Sequence, residues 1–267
     1  MLDKKIYLRD GHIHSPYCPH GTKDSLDSYV EKALEIGLEE ISFTEHMPLE
    51  IYFMPNKEFL DECFLSKDDV QKYFDDVYRV KKKYFGKIKI NLGFEVDFID
   101  GFEEETKKLL NAYGPYLEDG LLSVHFININ GEYVAVDGLD GFQKAVEFLG
   151  SVEKVYDKYY ETLLKAVKSN LGKYKCTRIG HPNLVRRFNE LYPIEYKNYE
   201  LLEEVAKEIK KNNYEVDINT AGLRKKYCNE IYVSGYFKEL VEKYDIKTVF
   251  GSDSHEAKDV GSGFKDL

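Results

Sequence analysis

The chain has no tryptophan, three methionines, seven prolines and four cysteines in 267 residues. Each scarcity removes a class of answer. Cys18, Cys63, Cys176 and Cys228 form no C-x-x-C pair, and their spacing suggests no disulfide framework. A reduced, cytoplasmic setting is therefore expected rather than secretion. The opening Met1-Leu2-Asp3-Lys4-Lys5 lacks the apolar stretch of a signal peptide. No run approaches the roughly 18 apolar residues of a membrane span. Pro- or Gly-rich linkers and low-complexity tracts are missing too. Basic residues are outnumbered, 38 Lys and Arg against 48 Asp and Glu, for a net charge of -10. Binding nucleic acid or a membrane surface needs a basic face, so neither partner is expected. A local basic pocket for one small anion remains open, and the oligomeric state is not readable.

What is abundant is tyrosine, 22 residues, with 16 phenylalanines to fill core and pocket walls. Charged runs at 81–83 and 103–105 fall in helix-like stretches and read as solvated faces. Strand-like segments lie at 6–9, 40–43, 88–94, 121–126, 177–179, 214–218 and 248–250. Helix-like segments lie at 26–35, 67–84, 102–112, 142–168, 199–211 and 236–244, with a short one at 183–188. Strands alternating with helices imply βαβ units and a parallel sheet. A (β/α) barrel takes about 250 residues, so one domain over 1–267 is expected.

The seven histidines then fall into a pattern. Asp10 and His12 follow the first strand, and His46 the second. Glu95 ends the third and His125 the fourth, while His181 follows the fifth and Asp253 the seventh. Residues at the C-terminal ends of parallel barrel strands converge on one mouth. An open doubly wound sheet would spread them along a line. His12 and His14 alternate along an extended segment, so both imidazoles can face one ion. Asp253 and His255 repeat that spacing. His20, in the turn-forming Cys18-Pro19-His20-Gly21, lies close enough to join them, and Cys18 is read as a small buried thiol. Imidazoles with carboxylates suit borderline divalent ions such as Zn, Mn or Fe(II). The nine candidate ligands are too many for one tetrahedral site, so two or three metal ions are expected. Glu95 could bridge two of them at about 3.5–4 Å, the spacing useful for in-line displacement.

Other residues take supporting roles in this reading. Glu45, Asp97 and Asp10 are candidates for holding ligand imidazoles in place. Arg178, Arg186, Arg187 and Arg224 stand out against the commoner Lys, and Arg187 and Arg224 are the candidates for phosphate. Asp253 could shuttle a proton to a leaving oxygen. The long 114–141 stretch is expected to send a loop to the mouth.

Six blocks in order resemble the PHP (polymerase and histidinol phosphatase) family. They are Asp10 through Pro16, Thr44-Glu45-His46, Gly93-Phe94-Glu95, Ser123-Val124-His125, Gly180-His181-Pro182 and Gly251 through His255. The Cys-Pro-His-Gly block and Asp217 through Arg224 resemble its histidinol-phosphatase branch. Glu45 stands where many relatives carry Asp. The resemblance implies an α/β fold, a distorted (β/α)7 TIM-like barrel, with a trinuclear centre. By position, His12, His14, Glu95 and Asp253 would hold one metal. Glu95, His125 and His181 would hold the second, and His20, His46 and His255 the third. It further implies a phosphomonoesterase acting on L-histidinol phosphate through a metal-bridging hydroxide, with Asp253 and His255 as catalytic groups. The rival within the family is another small phosphorylated metabolite or a nucleotide. A metal-dependent amidohydrolase is a second rival, but no strand end carries the lysine such sites often use.

Overall fold

The computed structural model of the chain describes residues 8–49 and 52–266. Among the described residues nine strands follow one another: β1 (Arg9–Ile13), β2 (Glu40–His46), β3 (Lys89–Asp97), β4 (Asp119–Ser123), β5 (Phe126–Ile129), β6 (Glu132–Ala135), β7 (Arg178–Ile179), β8 (Glu215–Asn219) and β9 (Thr248–Gly251). Seven of them form one parallel sheet in the order β1-β2-β3-β4-β7-β8-β9, and β5 and β6 pair as a separate antiparallel hairpin. The sheet curls until its edges meet at one end only. His14 donates its backbone N–H to Ser254 O at 3.0 Å, and Asp253 donates to His12 O at 2.8 Å. The result is a nearly closed, distorted TIM-like (β/α)7 barrel.

Eight α-helices among the described residues accompany the strands: α1 (Leu26–Glu35), α2 (Lys57–Cys63), α3 (Val70–Lys83), α4 (Glu103–Tyr113), α5 (Leu139–Leu149), α6 (Val152–Lys168), α7 (Tyr199–Lys211) and α8 (Gly235–Lys243). Their amphipathic spacing is direct. α1 buries Leu26, Tyr29, Val30 and Ala33, and Ser25 caps it by accepting from the Ser28 N–H. α7 buries Leu202, Val205, Ala206 and Ile209 beneath an Asn198 cap. The strands read as near-continuous apolar runs because helices cover the barrel outside and side chains fill it inside.

The structure corrects several expected boundaries. The helix expected over 142–168 is two, because Gly150 turns left-handed at φ 81 and Ser151 starts α6 as its N-cap. Of the strand expected at 6–9, residues 6 and 7 lie outside the described residues; β1 begins at Arg9 and runs on through His12. Asp10 and His12 therefore lie within a strand rather than after one. The short helix expected at 183–188 is a 3-10 turn, Leu184–Phe188. α2 and the β5–β6 hairpin were not anticipated. They share a small apolar cluster of Phe53, Leu60, Phe64, Ile99, Phe126 and Ala135, separate from the main core. Burying each such aromatic is worth about 1.5–3 kcal/mol, enough to hold short elements against the rim.

Candidate metal centre

At the end where the barrel closes, the strand termini deliver all seven histidines to one place. Glu95 stands at the centre, on β3, 1% exposed. Its Oε2 lies 3.3 Å from His12 Nε2, 3.5 Å from His14 Nε2 and 3.2 Å from His46 Nδ1. Its Oε1 lies 2.8 Å from His181 Nε2 and 3.8 Å from His125 Nε2. One carboxylate thus faces two sets of imidazoles, one per oxygen. That is the arrangement a bridging ligand requires.

Asp253, two residues past β9, reaches the first set, with Oδ1 3.3 Å from His14 Nε2 and 3.9 Å from His12 Nε2. His255 stacks on His14 at 4.0 Å between ring centroids, and its Nε2 is 3.1 Å from His20 Nε2. Donor atoms within 4.8 Å of one another form three groups among the described residues: His12, His14 and Asp253; Glu95, His125 and His181; and His14, Cys18, His46 and His255. His181 and Asp253 hold left-handed backbones, φ 24 and φ 52. Such conformations cost energy and persist where surrounding structure enforces them, commonly at functional sites.

Four further ring nitrogens are tied down. His12 Nδ1 is 2.8 Å from Asp217 Oδ2, and His14 Nδ1 is 3.1 Å from Glu45 Oε1. His125 Nδ1 is 2.8 Å from Asp97 Oδ1, and His20 Nδ1 is 3.0 Å from Glu62 O. Each contact fixes a ring's orientation and turns its other nitrogen inward. Buried His12 Nε2, His14 Nε2 and His46 Nδ1 have no hydrogen-bond partner. Unpaired polar atoms at that depth are costly, so three around one carboxylate point to a missing partner. Divalent ions fit it: imidazole and carboxylate donors, buried, with outer contacts already set.

The electrostatics agree. Burial alone would push the Glu95 carboxyl up, yet the imidazoles of His12 and His125 hold it well below its usual range. Burial likewise opposes ionisation of Asp253, and His12 and His14 override it. Burial and the neighbouring His14 keep His46 and His255 well below the ordinary imidazole range, in the neutral form that binds metal. Burial disfavours charge on His12 and His125, but carboxylates raise both to about 10: Glu95, Asp253 and Asp217 around His12, and Asp97 and Glu95 around His125.

The centre opens into a cavity of about 350 Å³. Arg187 lines it, donating to Lys226 O and stacking on Phe188 at 4.8 Å. Arg224 donates through Nη2 to Ser252 O at 2.7 Å and pairs through Nε with Asp259 at 3.3 Å, bracing the loop that carries Asp253, while its Nη1 is buried without a partner. The next residue, Lys225, lines the cavity. Arg186 is paired with Glu230, and Arg178 lies buried in the barrel with Asp119. Asp10 is also corrected. Its carboxylate accepts the backbone N–H groups of His12, Ser252 and Gly261, so it staples the barrel seam and touches no imidazole. Cys18 is fully buried, as expected of a small thiol, but its sulfur joins the third donor group.

Asp217 and Asn219 lie in the block that resembles the histidinol-phosphatase branch, and their contacts with His12 give no sequence signal beyond a buried Asp inside the apolar β8. Gly251 matters through space: a Cβ there would lie 2.2 Å from Asp217 Oδ1 and 2.6 Å from His12 Cβ. The 114–141 stretch does reach the mouth, through Phe126, Ala135 and Asp137.

Comparison with known families decides the lineage. The PHP domain model matches residues 10–221. The chain belongs to the PHP family. The PHP match carries the donors from His12 to His181, and Asp253 and His255 arrive from β9 beyond its end. Over 260 residues this PHP chain is 39% identical to histidinol-phosphatase of Bacillus subtilis, covering 96% of this chain and 97% of that protein. It is similar to the crystal structure of a Listeria monocytogenes protein assigned as a histidinol phosphatase, with TM-score 0.91, 35% identity, and 97% and 99% of the two chains covered. The fold also matches histidinol phosphate phosphatase of Lactococcus lactis, solved with Zn, L-histidinol and phosphate. There the TM-score is 0.71 and the identity 23%, over 94% and 88% of the chains.

Proposed function

We propose that this PHP protein is a metal-dependent histidinol-phosphatase, hydrolysing L-histidinol phosphate to L-histidinol and phosphate in histidine biosynthesis. One observation carries the reading: a buried carboxylate between two histidine sets, with inward ring nitrogens lacking partners, beneath a small cavity. The name of the Bacillus subtilis relative supplies the substrate. Zn is the metal to try first, because the Lactococcus lactis protein was solved with it.

In this reading His12, His14, Glu95 and Asp253 would hold one ion, and Glu95, His125 and His181 a second. His20, His46 and His255 would hold a third, with the Cys18 sulfur beside them. Bound divalent ions supply acidified water and neutralise charge on phosphoryl oxygens. The chain's own residues do the rest. Asp217, Glu45 and Asp97 hold ring orientations, so the donors are in place before substrate arrives. Arg187 and Lys225 take the phosphoryl oxygen that faces away from the centre. Asp253, held ionised and with its side chain 15% exposed, accepts the proton of the attacking water and returns it to the departing alkoxide. His255 beside it stays neutral. No Ser or Cys nucleophile is needed, so no covalent phosphoryl-enzyme is expected. The substrate is a small ester; with a net charge of -10, long nucleic acid is not part of this reading.

The test is phosphate release from L-histidinol phosphate, measured beside other phosphomonoesters and a phosphodiester. Marked preference for L-histidinol phosphate is expected. Loaded protein that ignores it and cleaves a diester sinks the assignment.

A further inference from the structure

The cavity above the metal centre has two unlike walls. Its cations, Arg187 and Lys225, come from the connections after β7 and β8. Its outer carboxylates, Glu62 and Asp137, come from α2 and from the turn after β6. In a sheet ordered β1-β2-β3-β4-β7-β8-β9, those sources fall on different halves of the rim. No ion pair joins the two halves across the cavity among the described residues.

The acidic half is also the aromatic half. Phe59 of α2, Phe64 at its C-terminal cap and Phe126 of β5 line the same wall. Phe126 lies 6.4 Å from Phe59 and 6.1 Å from Phe64, centroid to centroid, and Phe64 meets His46 edge-on at 6.4 Å. Phe59 is only half-buried, so its ring is available to a ligand. Between these elements sits Cys63, whose thiol is pushed up to about 12 by burial and by the carboxylates of Asp137, Asp97 and Glu62. That places a concentrated negative field beside a flat apolar face. No cation of the protein partners the Glu62 or Asp137 carboxylate among the described residues.

An anion-hydrolysing cavity has no use for outer carboxylates, which repel its substrate, unless the substrate carries positive charge at its far end. We propose that Asp137, with Glu62, is the subsite for the primary ammonium of a phosphomonoester and that the Phe59 wall receives its ring, so that this half of the rim sets substrate choice. This deepens the histidinol-phosphatase reading and rests on it. A charge-assisted bond from an ammonium to a carboxylate is stronger than a neutral one, and a ring cation gains further on an aromatic face.

The experiment compares kcat/KM for L-histidinol phosphate with that for p-nitrophenyl phosphate, which has a ring but no amine. It uses Zn-loaded wild type, Asp137→Asn and Glu62→Gln. Both positions are exposed, so folding is not at stake. In Asp137→Asn the ratio of the two values is expected to fall by about tenfold to a hundredfold, mainly through KM for the amine substrate, and by less in Glu62→Gln. A ratio unchanged in both variants, or equal losses on both substrates, overturns the subsite while leaving the histidinol-phosphatase reading intact. A wild type that prefers p-nitrophenyl phosphate overturns that reading, and the subsite with it.

Discussion

The floor and the mouth of this barrel both bury charge, and they treat it in opposite ways. At the floor, the protein supplies both signs. Arg178, 2% exposed, and Arg9 both bind Asp119 Oδ2, at 2.9 and 2.7 Å. Ser42 donates to the same oxygen at 2.5 Å, and Arg178 also donates to Gly11 O at 2.6 Å. At the mouth, carboxylates and imidazoles are gathered just as deeply, but three ring nitrogens around Glu95 have no partner, nor does His181 Nδ1. The lesson is one of accounting for polar atoms. Where the protein pairs a carboxylate with its own cations, as Arg9 and Arg178 pair with Asp119 although Arg178 Nε is left without a partner, the cluster serves the fold. Where it leaves inward-facing donors and fixes their outer atoms, the cluster serves a ligand. Buried charge alone does not separate the two cases.

Breaking the mouth should cost activity first. His12→Ala removes a central donor, and phosphate release should fall by more than about a hundredfold. Circular dichroism should report a folded chain. Breaking the floor should do the reverse. Asp119→Ala leaves the buried Arg178 without its anion, while Arg9 keeps Glu40, and should cost about 3–5 kcal/mol in urea unfolding. The fraction that stays folded should bind metal normally. A floor variant that loses metal affinity as steeply as His12→Ala would erase the distinction.

A smaller effect is expected one layer out from the donors. Asp217→Asn keeps the shape but weakens the hold on His12 Nδ1. Metal affinity should drop by about tenfold to a hundredfold, measured by competition with a chelating dye.

The gentlest test is a slope. His12 and His125 are raised to about 10 in the metal-free protein, against an ordinary value near 6.5. The folded chain then binds more protons than the unfolded chain between those values, so their contribution to stability is complete below about pH 6.5 and lost as pH rises toward 10. Chelated protein should therefore lose unfolding free energy across that window, while its metal affinity increases as protons leave the rings. Stability of chelated protein that climbs between pH 6.5 and 10 would contradict this assignment of charge.

Much of this contrast could be read from sequence, and the unread part has physical causes. Histidine is rare enough, and strand ends regular enough, that the positions of His12, His46, His125 and His181 after apolar runs announced a shared mouth. The contacts behind them were only half visible. Glu45 and Asp97 sit beside donors along the chain and were anticipated as partners. Asp217 approaches His12 from 205 positions away, a pairing set by sheet closure. The contacts of Arg224 were hidden for the same reason: its type and neighbourhood suit phosphate, but its bond to the Ser252 carbonyl depends on sheet closure. The substrate wall was hidden because α2 has 7 residues and the hairpin strands 4 each, too short for a clear period. Gly150 lies inside an otherwise continuous helical pattern, and its left-handed φ lets α5 stop and α6 begin.

The most direct measurement is a metal titration. Protein stripped with a chelator is given Zn in steps, and phosphate release from L-histidinol phosphate is followed with bound metal per chain. The account predicts no release without metal and recovery as the three donor groups fill, levelling at about two or three ions per chain. Turnover by metal-free protein, or a fully loaded chain that leaves L-histidinol phosphate intact, would contradict it.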